Sequence, residues 1–435
     1  MRLSATNLSW NYHHKRTALS PYRYALAGAN IIPSSEASLG GSRYVRASRV
    51  IGTVGSGDLS TIRLVDQGWY ISTDRTVNAS NPVTRRVWIK CVGKPSVLAT
   101  WGGSASLTVN PGDIELLSDV ITPSQLGLTD GVIPRGTRIV VTVETTASVG
   151  GKTITCPGMV SGSGTLYCLE YDPAAGFVTN LSTGDAGFTW SGSVSNSPVL
   201  WNCVRVVGTF AGGDKRSVLG IGDSIVEGVG STSRPNIGGG SYFDRALFQT
   251  DLNTNVAIAG CNTGCSGGVS TAWNIDGTAL ARLSTIAKYA NTYVEEYGIN
   301  NIGFSGGQTL ADLVYSSSKT LWDTVRVAGQ APGGLPIVIH RPSVLNRTST
   351  DGLTPQSGCG LGGTLDLLNQ MFDTRAGTDV TTYINMRNIG LFLGNDVTQN
   401  SNYQWNTAYS TDGLHPNESG HILLASILRN GLYSL

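Results

Sequence analysis

The chain has 435 residues, 40% of them apolar and only 14% charged, with a formal net charge of +1. That length accommodates two or three domains. The near-neutral balance, with no long run of like charge, gives no electrostatic case for nucleic acid or an anionic membrane surface as partner.

Residues 1–44 open on Met1-Arg2-Leu3-Ser4-Ala5 and stay polar and irregular. They lack the apolar centre of a signal peptide, and the pattern assigns them no fold. No stretch of the chain is long and apolar enough to span a bilayer. Localisation stays open between the cytoplasm, export by another route, an extracellular or virion-associated particle, and a mature form cut from a precursor.

From residue 45 to 211 the pattern is short alternating runs broken by turns. Val87, Ile89 and Cys91 fall on one face of a run, and Ile139, Val141 and Val143 on one face of another. Asn110-Pro111-Gly112-Asp113 and Pro134-Arg135-Gly136 punctuate them. Such runs predict an antiparallel β-sandwich or jelly roll.

The texture changes at Gly212-Gly213-Asp214-Lys215. Over 212–435 the pattern predicts strands at Ser217–Ile221, Asn255–Ala259, Tyr293–Tyr297, Pro336–Ile339 and Asn388–Leu393. Helices are predicted at Tyr242–Leu252, Thr278–Ala290, around Leu310–Val325, and at Ser419–Leu432. Strands alternating with helices imply a parallel sheet covered on both faces.

Seven cysteines are scattered along the chain. Cys261 and Cys265 have no second pair at zinc spacing, so no metal site is expected. Cys156 and Cys168 fit a hairpin disulfide or two buried thiols, and the sequence does not choose.

Gly222-Asp223-Ser224 follows the first strand of the α/β region, where open parallel sheets place their ligands. A neutral serine hydroxyl needs an adjacent base, and that imidazole needs a carboxylate to hold its tautomer. Asp412-Gly413-Leu414-His415-Pro416 offers both in one turn before the last helix. An oxyanion also needs fixed donors. The Ser224 N–H, the N–H of Gly260 after the second strand, and the side-chain amide of Asn300 in Gly298-Ile299-Asn300-Asn301 are the candidates. Each feature alone has an ordinary turn as its other reading.

Taken in order, Ser224, Gly260, Asn300 and His415 resemble the four blocks of the SGNH, or GDSL, hydrolase superfamily. The match covers about residues 215–435, and Asn417-Glu418-Ser419-Gly420-His421 continues it. Ile258 stands where an Asn is frequent, and Asn301 where Asp is usual. The resemblance implies a flavodoxin-like three-layer α/β/α domain. It also implies Ser224 as nucleophile, His415 as proton shuttle, Asp412 as its orienting carboxylate, an oxyanion hole of Ser224, Gly260 and Asn300, and no cofactor.

The family spans carbohydrate deacetylases, lipases and thioesterases, so fold alone does not give substrate. A β-rich domain beside the hydrolase domain resembles the plan of several carbohydrate esterases. The segment between Gly228 and Gly240 is Gly-, Ser- and Asn-rich rather than an apolar lid. Tyr403, Trp405 and Tyr409 precede the catalytic turn and fit either sugar stacking or ordinary packing. The expectation is a serine esterase acting on acetylated polysaccharide or oligosaccharide. The alternatives are a general lipid or short-chain acyl-ester hydrolase or thioesterase, and a non-enzymatic, phage-tail-like glycan-binding protein with a degenerate hydrolase domain.

Overall fold

A computed structural model describes residues 20–38, 45–148, 150–155, 166–171, 204–231, 240–248, 257–301, 306–331, 333–349, 354–387, 391–392 and 404–433. The α/β region is built on a six-stranded, wholly parallel sheet. Its strands are β1 (Asn30–Ile31), β2 (Ser217–Gly222), β3 (Ala259–Asn262), β4 (Thr292–Glu296), β5 (Val338–Pro342) and β6 (Thr382–Ile384), in the order β6-β5-β4-β2-β3-β1. The inner strands β2 to β5 are buried along their whole length, as a parallel sheet covered on both faces requires.

The helices are α1 (Ser224–Glu227), α2 (Tyr242–Ala246), α3 (Gly277–Ala287), α4 (Gly307–Ala328), α5 (Thr364–Thr374) and α6 (Glu418–Tyr433). One apolar cluster joins Leu219 and Ile221 of β2 to Leu283, Val314, Leu321, Leu365 and Phe372 of α3, α4 and α5. A second joins Val218 and Val294 to Phe243, Leu424 and Leu428 of α2 and α6. Helices thus cover opposite faces of the sheet, giving the three-layer α/β/α arrangement.

Among the described residues, the first half contains two two-stranded antiparallel sheets and two larger ones. One orders the strands 23–24, 205–210, 59–66 and 116–117; the other runs 97–98, 83–91, 138–146, 45–54 and 166–171. Val50, Leu59, Ile62, Leu64, Val87, Ile89, Ile139, Val141 and Val206 fill one core between them, as in a β-sandwich.

Several elements differ from the sequence reading. Residues 20–38 carry four short strands, so the polar opening segment is not irregular there. One of them, β1, is the edge strand of the parallel sheet. Arg23 donates to Asp214 from Nε at 2.9 Å and from Nη2 at 3.0 Å, and Tyr24 Oη donates to Ile286 O at 2.8 Å. The β3 strand begins where the sequence reading ended it. The last strand lies at 382–384, while 388–390 fall outside the described residues. The α5 helix was not anticipated. Cys156 and Cys203 also lie outside the described residues, and the Cys156–Cys168 pairing with them.

Candidate active site

Ser224 stands where β2 turns into α1. Asp223 caps that turn, its Oδ1 accepting the Ile225 N–H at 3.0 Å, which satisfies one of the helix's orphan donors. The Ser224 hydroxyl is thereby fixed at the carboxyl edge of the sheet, 5% exposed. His415 Nε2 lies 2.9 Å from Ser224 Oγ, and His415 Nδ1 lies 2.7 Å from Asp412 Oδ2. Residues 191 positions apart in sequence are in contact, at the separation proton transfer needs.

The turn carrying Asp412 and His415 is rigid for local reasons. Asp412 Oδ1 accepts the N–H groups of Leu414 at 2.9 Å and His415 at 2.7 Å. Gly413 has φ +71°, and a Cβ there would meet Ser349 O at 2.2 Å, so the turn requires glycine. Partial burial pushes the Asp412 carboxyl up, but the His415 side chain and the two backbone donors outweigh it and hold the group below its ordinary range. The carboxylate therefore faces Nδ1 in its ionised form and leaves Nε2 free to accept the serine proton.

Gly260 does not belong to this group. It lies inside β3 opposite Val218, before the strand ends at Asn262, and a Cβ there would meet Val218 O at 2.8 Å and Leu247 at 3.0 Å. It is a close-packing glycine of the sheet and not a donor at its edge. The chain that reaches the edge is the following loop, 263–269. Thr263 N–H donates to Gly220 O at 2.9 Å and Cys265 N–H to Gly222 O at 3.2 Å, so the loop tracks the end of β2 as far as Gly222, two residues before Ser224. Gly264 abuts α1 so closely that a Cβ would meet the Glu227 nitrogen at 2.2 Å. Ser266 Oγ donates to Glu227 Oε2.

Gly267 is exposed at φ +73°, and its N–H has no acceptor among the described residues. Asn300 donates from Nδ2 to Gly268 O at 3.2 Å, which fixes the amide against this loop and leaves its second hydrogen available. Asn301 Oδ1 accepts the Ser270 N–H at 3.1 Å, a contact that needs an oxygen and not a charge.

Three further residues link these pieces without having been singled out from the sequence. Asn262 Nδ2 donates to Val226 O at 2.8 Å and Asp244 Oδ2 at 3.0 Å, and its Oδ1 accepts Gly264 N–H at 2.7 Å. Glu227 anchors Ser266. His421, on α6, accepts the Tyr242 N–H at Nδ1 (3.1 Å) and bonds Val229 O through Nε2 (3.0 Å). The signal for the first was the run Asn262-Thr263-Gly264-Cys265-Ser266-Gly267, a glycine-rich stretch at the end of a strand.

Beneath the nucleophile lies a buried group of charges. Arg341 bonds the backbone carbonyls of Glu295 and Tyr297 and sits 3.4 Å from Glu295 Oε2. Asp223 Oδ2 and both carboxyl oxygens of Glu296 have no hydrogen-bond partner among the described residues. Burial pushes Asp223 up to about 7, against the lowering pull of the Ile225 N–H and Arg341. Burial, and then Asp223, push Glu296 up as well. An ionised Asp223 thus opposes ionisation of Glu296.

The aromatic residues divide. Trp405 is fully buried, its Nε1 donating to Asn346 O at 3.0 Å and its ring 4.7 Å from that of Phe392. It is a core residue and not a sugar platform, because no face of its ring is open. Tyr409 is partly buried against the same core, and its carbonyl accepts the Asn417 N–H at 2.8 Å. Tyr403 lies outside the described residues.

The three-layer α/β/α fold thus sets Ser224, His415 and Asp412 in line at the carboxyl edge of its sheet. Residues 221–423 match the GDSL-like Lipase/Acylhydrolase family, and this part of the chain is a domain of that family. No curated protein matches the chain. Among solved structures, it is similar to a carbohydrate acetylesterase from Sinorhizobium meliloti (15% identity, 51% of this chain and 99% of that chain, TM-score 0.35). It is also similar to a variant of an acetyl-xylooligosaccharide esterase from Geobacillus Stearmophilus (17%, 51% and 95%, TM-score 0.35). A third is a GDSL-like lipase from Bacteroides thetaiotaomicron VPI-5482 (15%, 50% and 88%, TM-score 0.34).

Proposed function

We propose that the protein is a serine esterase that removes acetyl groups from O-acetylated carbohydrate through an acyl-enzyme. The observation that carries the serine mechanism is the unbroken line Ser224 Oγ, His415 Nε2, His415 Nδ1, Asp412 Oδ2, with links of 2.9 and 2.7 Å. Ser224 Oγ attacks the ester carbonyl carbon as its proton passes to His415 Nε2. The alkoxide so formed is met by backbone N–H groups of Ser224 and Gly267 and by the Asn300 amide. Collapse breaks the ester bond, and His415 returns the proton to the departing alcohol. Water then attacks the acyl-serine with His415 as base, releasing the acid and restoring the serine.

The short-acyl, carbohydrate part of the proposal has a different support. The loops that emerge beside Ser224 present small and polar groups: Ser266, Gly267, Asn300 and Asn301. Such a rim suits a small acyl group on a polyhydroxylated alcohol better than a long aliphatic chain. The test is a comparison of p-nitrophenyl acetate with p-nitrophenyl octanoate, followed by acetate release from a panel of acetylated polysaccharides. Acetate should be strongly preferred, and Ser224→Ala should abolish turnover. Equal rates for wild type and Ser224→Ala would remove the esterase reading. A preference for octanoate would remove only the acetyl part.

A further inference from the structure

Among the described residues, the strands Trp69–Ile71 and Thr76–Asn78 pair only with each other and belong to none of the larger sheets. Their turn, closed by Ser72 N–H to Arg75 O at 2.7 Å, reaches from the first half of the chain onto the loop 263–269. Val269 N–H donates to Thr73 O at 3.0 Å. Thr73 Cγ2 lies 3.0 Å from the place a Cβ on Gly267 would occupy. Cys265 Sγ faces Ile71 O at 3.7 Å.

The base of the hairpin is clamped by α3. Arg282 donates to Thr76 Oγ1 at 2.8 Å and to Asn78 Oδ1, and its guanidinium lies 5.2 Å from the centre of the Trp69 ring. Trp69 meets Trp273 edge-on at 6.3 Å.

The loop carrying Gly267 is therefore held from three sides. Glu227 takes Ser266, Gly222 and Asn300 take Cys265 and Gly268, and the hairpin takes Val269. We propose that the hairpin Trp69–Asn78 is a positioning element of the hydrolytic site, and that Arg282 acts through it to fix the loop whose Gly267 N–H meets the oxyanion. This rests on the serine esterase reading. A displacement of about 1 Å at such a donor costs up to about a hundredfold in rate, so a hairpin loosened by one residue should be visible in turnover.

The experiment uses the full chain and p-nitrophenyl acetate, with active sites counted by fluorophosphonate labelling of Ser224. Arg282→Met should lower kcat per labelled site by about tenfold with little change in KM. Arg282→Lys, which keeps the charge and part of the reach, should recover some of it. A fall in thermal midpoint with unchanged kcat per labelled site would overturn the proposal. If Arg282→Met does not fold, Thr73→Gly takes its place; its removal of the methyl over Gly267 should still lower kcat, and an unchanged kcat would again be decisive against. A wild type inert towards the ester would instead bring down the esterase reading, and this inference with it.

Discussion

Replacing Asp412 by Asn should damage the enzyme more than replacing it by Ala. In the wild type, Oδ1 is occupied by the backbone N–H groups of Leu414 and His415, so an amide at this position must put its oxygen there. Its NH₂ then takes the place of Oδ2, 2.7 Å from His415 Nδ1. Two donors cannot face each other, so Nδ1 becomes the acceptor and the imidazole proton moves to Nε2, pointing at Ser224 Oγ. That tautomer cannot take the serine proton. The loss should be on the order of a thousandfold in kcat/KM. Alanine leaves the tautomer free; it removes the attraction between carboxylate and imidazolium, together with the Oδ1 acceptor for the Leu414 and His415 N–H groups. At 2.7 Å that attraction is about 1.5 to 6 kcal/mol between the dielectric of water and that of a near-surface pair. The Asp412 side chain is 47% exposed, which places it at the low end, about 2 kcal/mol, or a loss of roughly thirtyfold. The assay is kcat/KM for p-nitrophenyl acetate at neutral pH. An Asn variant as active as the Ala variant, or more so, would refute the tautomer argument.

Acid should destabilise the fold through two buried histidines. Burial lowers His340 and His421 each to about 4, while the unfolded side chains titrate near ~6.5. The unfolded state therefore binds more protons in that window, and stability falls as pH drops through it; a thermal midpoint that is flat from neutral pH down to the lower value would count against this. Asp223 has the opposite sign. With its folded carboxyl pushed up to about 7, the native state holds the extra proton, so its contribution is lost as pH rises towards that value. Asp223→Asn, whose amide oxygen can still cap Ile225, should gain stability relative to wild type on going from acidic to mildly alkaline pH, and a pH-independent difference in midpoint would contradict it. A fragment of residues 212–435 should be insoluble or inactive, because it lacks β1 and the Arg23 and Tyr24 contacts; a soluble fragment with wild-type esterase rates would show those contacts to be dispensable.

What could be read from the sequence was local. Ser224 after an apolar strand, and Asp412 three residues before His415, each need only a short window, and the structure brings both together. The β3 strand was displaced because its apolar run stops at Gly260, whereas Cys261 and Asn262 continue it as buried residues, the Asn262 amide donating to Val226 O and Asp244 Oδ2. That displacement carried the oxyanion assignment to Gly260 instead of the loop after Asn262. The α5 helix has its apolar residues at helical spacing, Leu365, Leu368 and Phe372, but the glycines before it read as open loop. Trp405 was ambiguous in kind: an aromatic beside a catalytic turn has the same sequence signature whether it faces a ligand or the core.

The two-residue β1 had no such local signature, and its position decides how the halves of the molecule relate. A parallel sheet ending at β3 would expose an unpaired edge of N–H and C=O groups, which is a template for aggregation. Here that edge is covered by Asn30–Ile31, whose Asn30 side chain also bonds Gly260 O at 3.2 Å and Val206 O at 3.2 Å. One amide thus ties the parallel sheet to a strand of the β-sandwich. The same first half supplies Thr73 against the loop of Gly267. Contacts from Arg23, Asn30 and Thr73 thus cross the texture change near residue 212. Substitutions in the sandwich that shift the register of residues 20–38 or 69–78 should reach the hydrolytic site through the backbone, without touching any residue that contacts the ester.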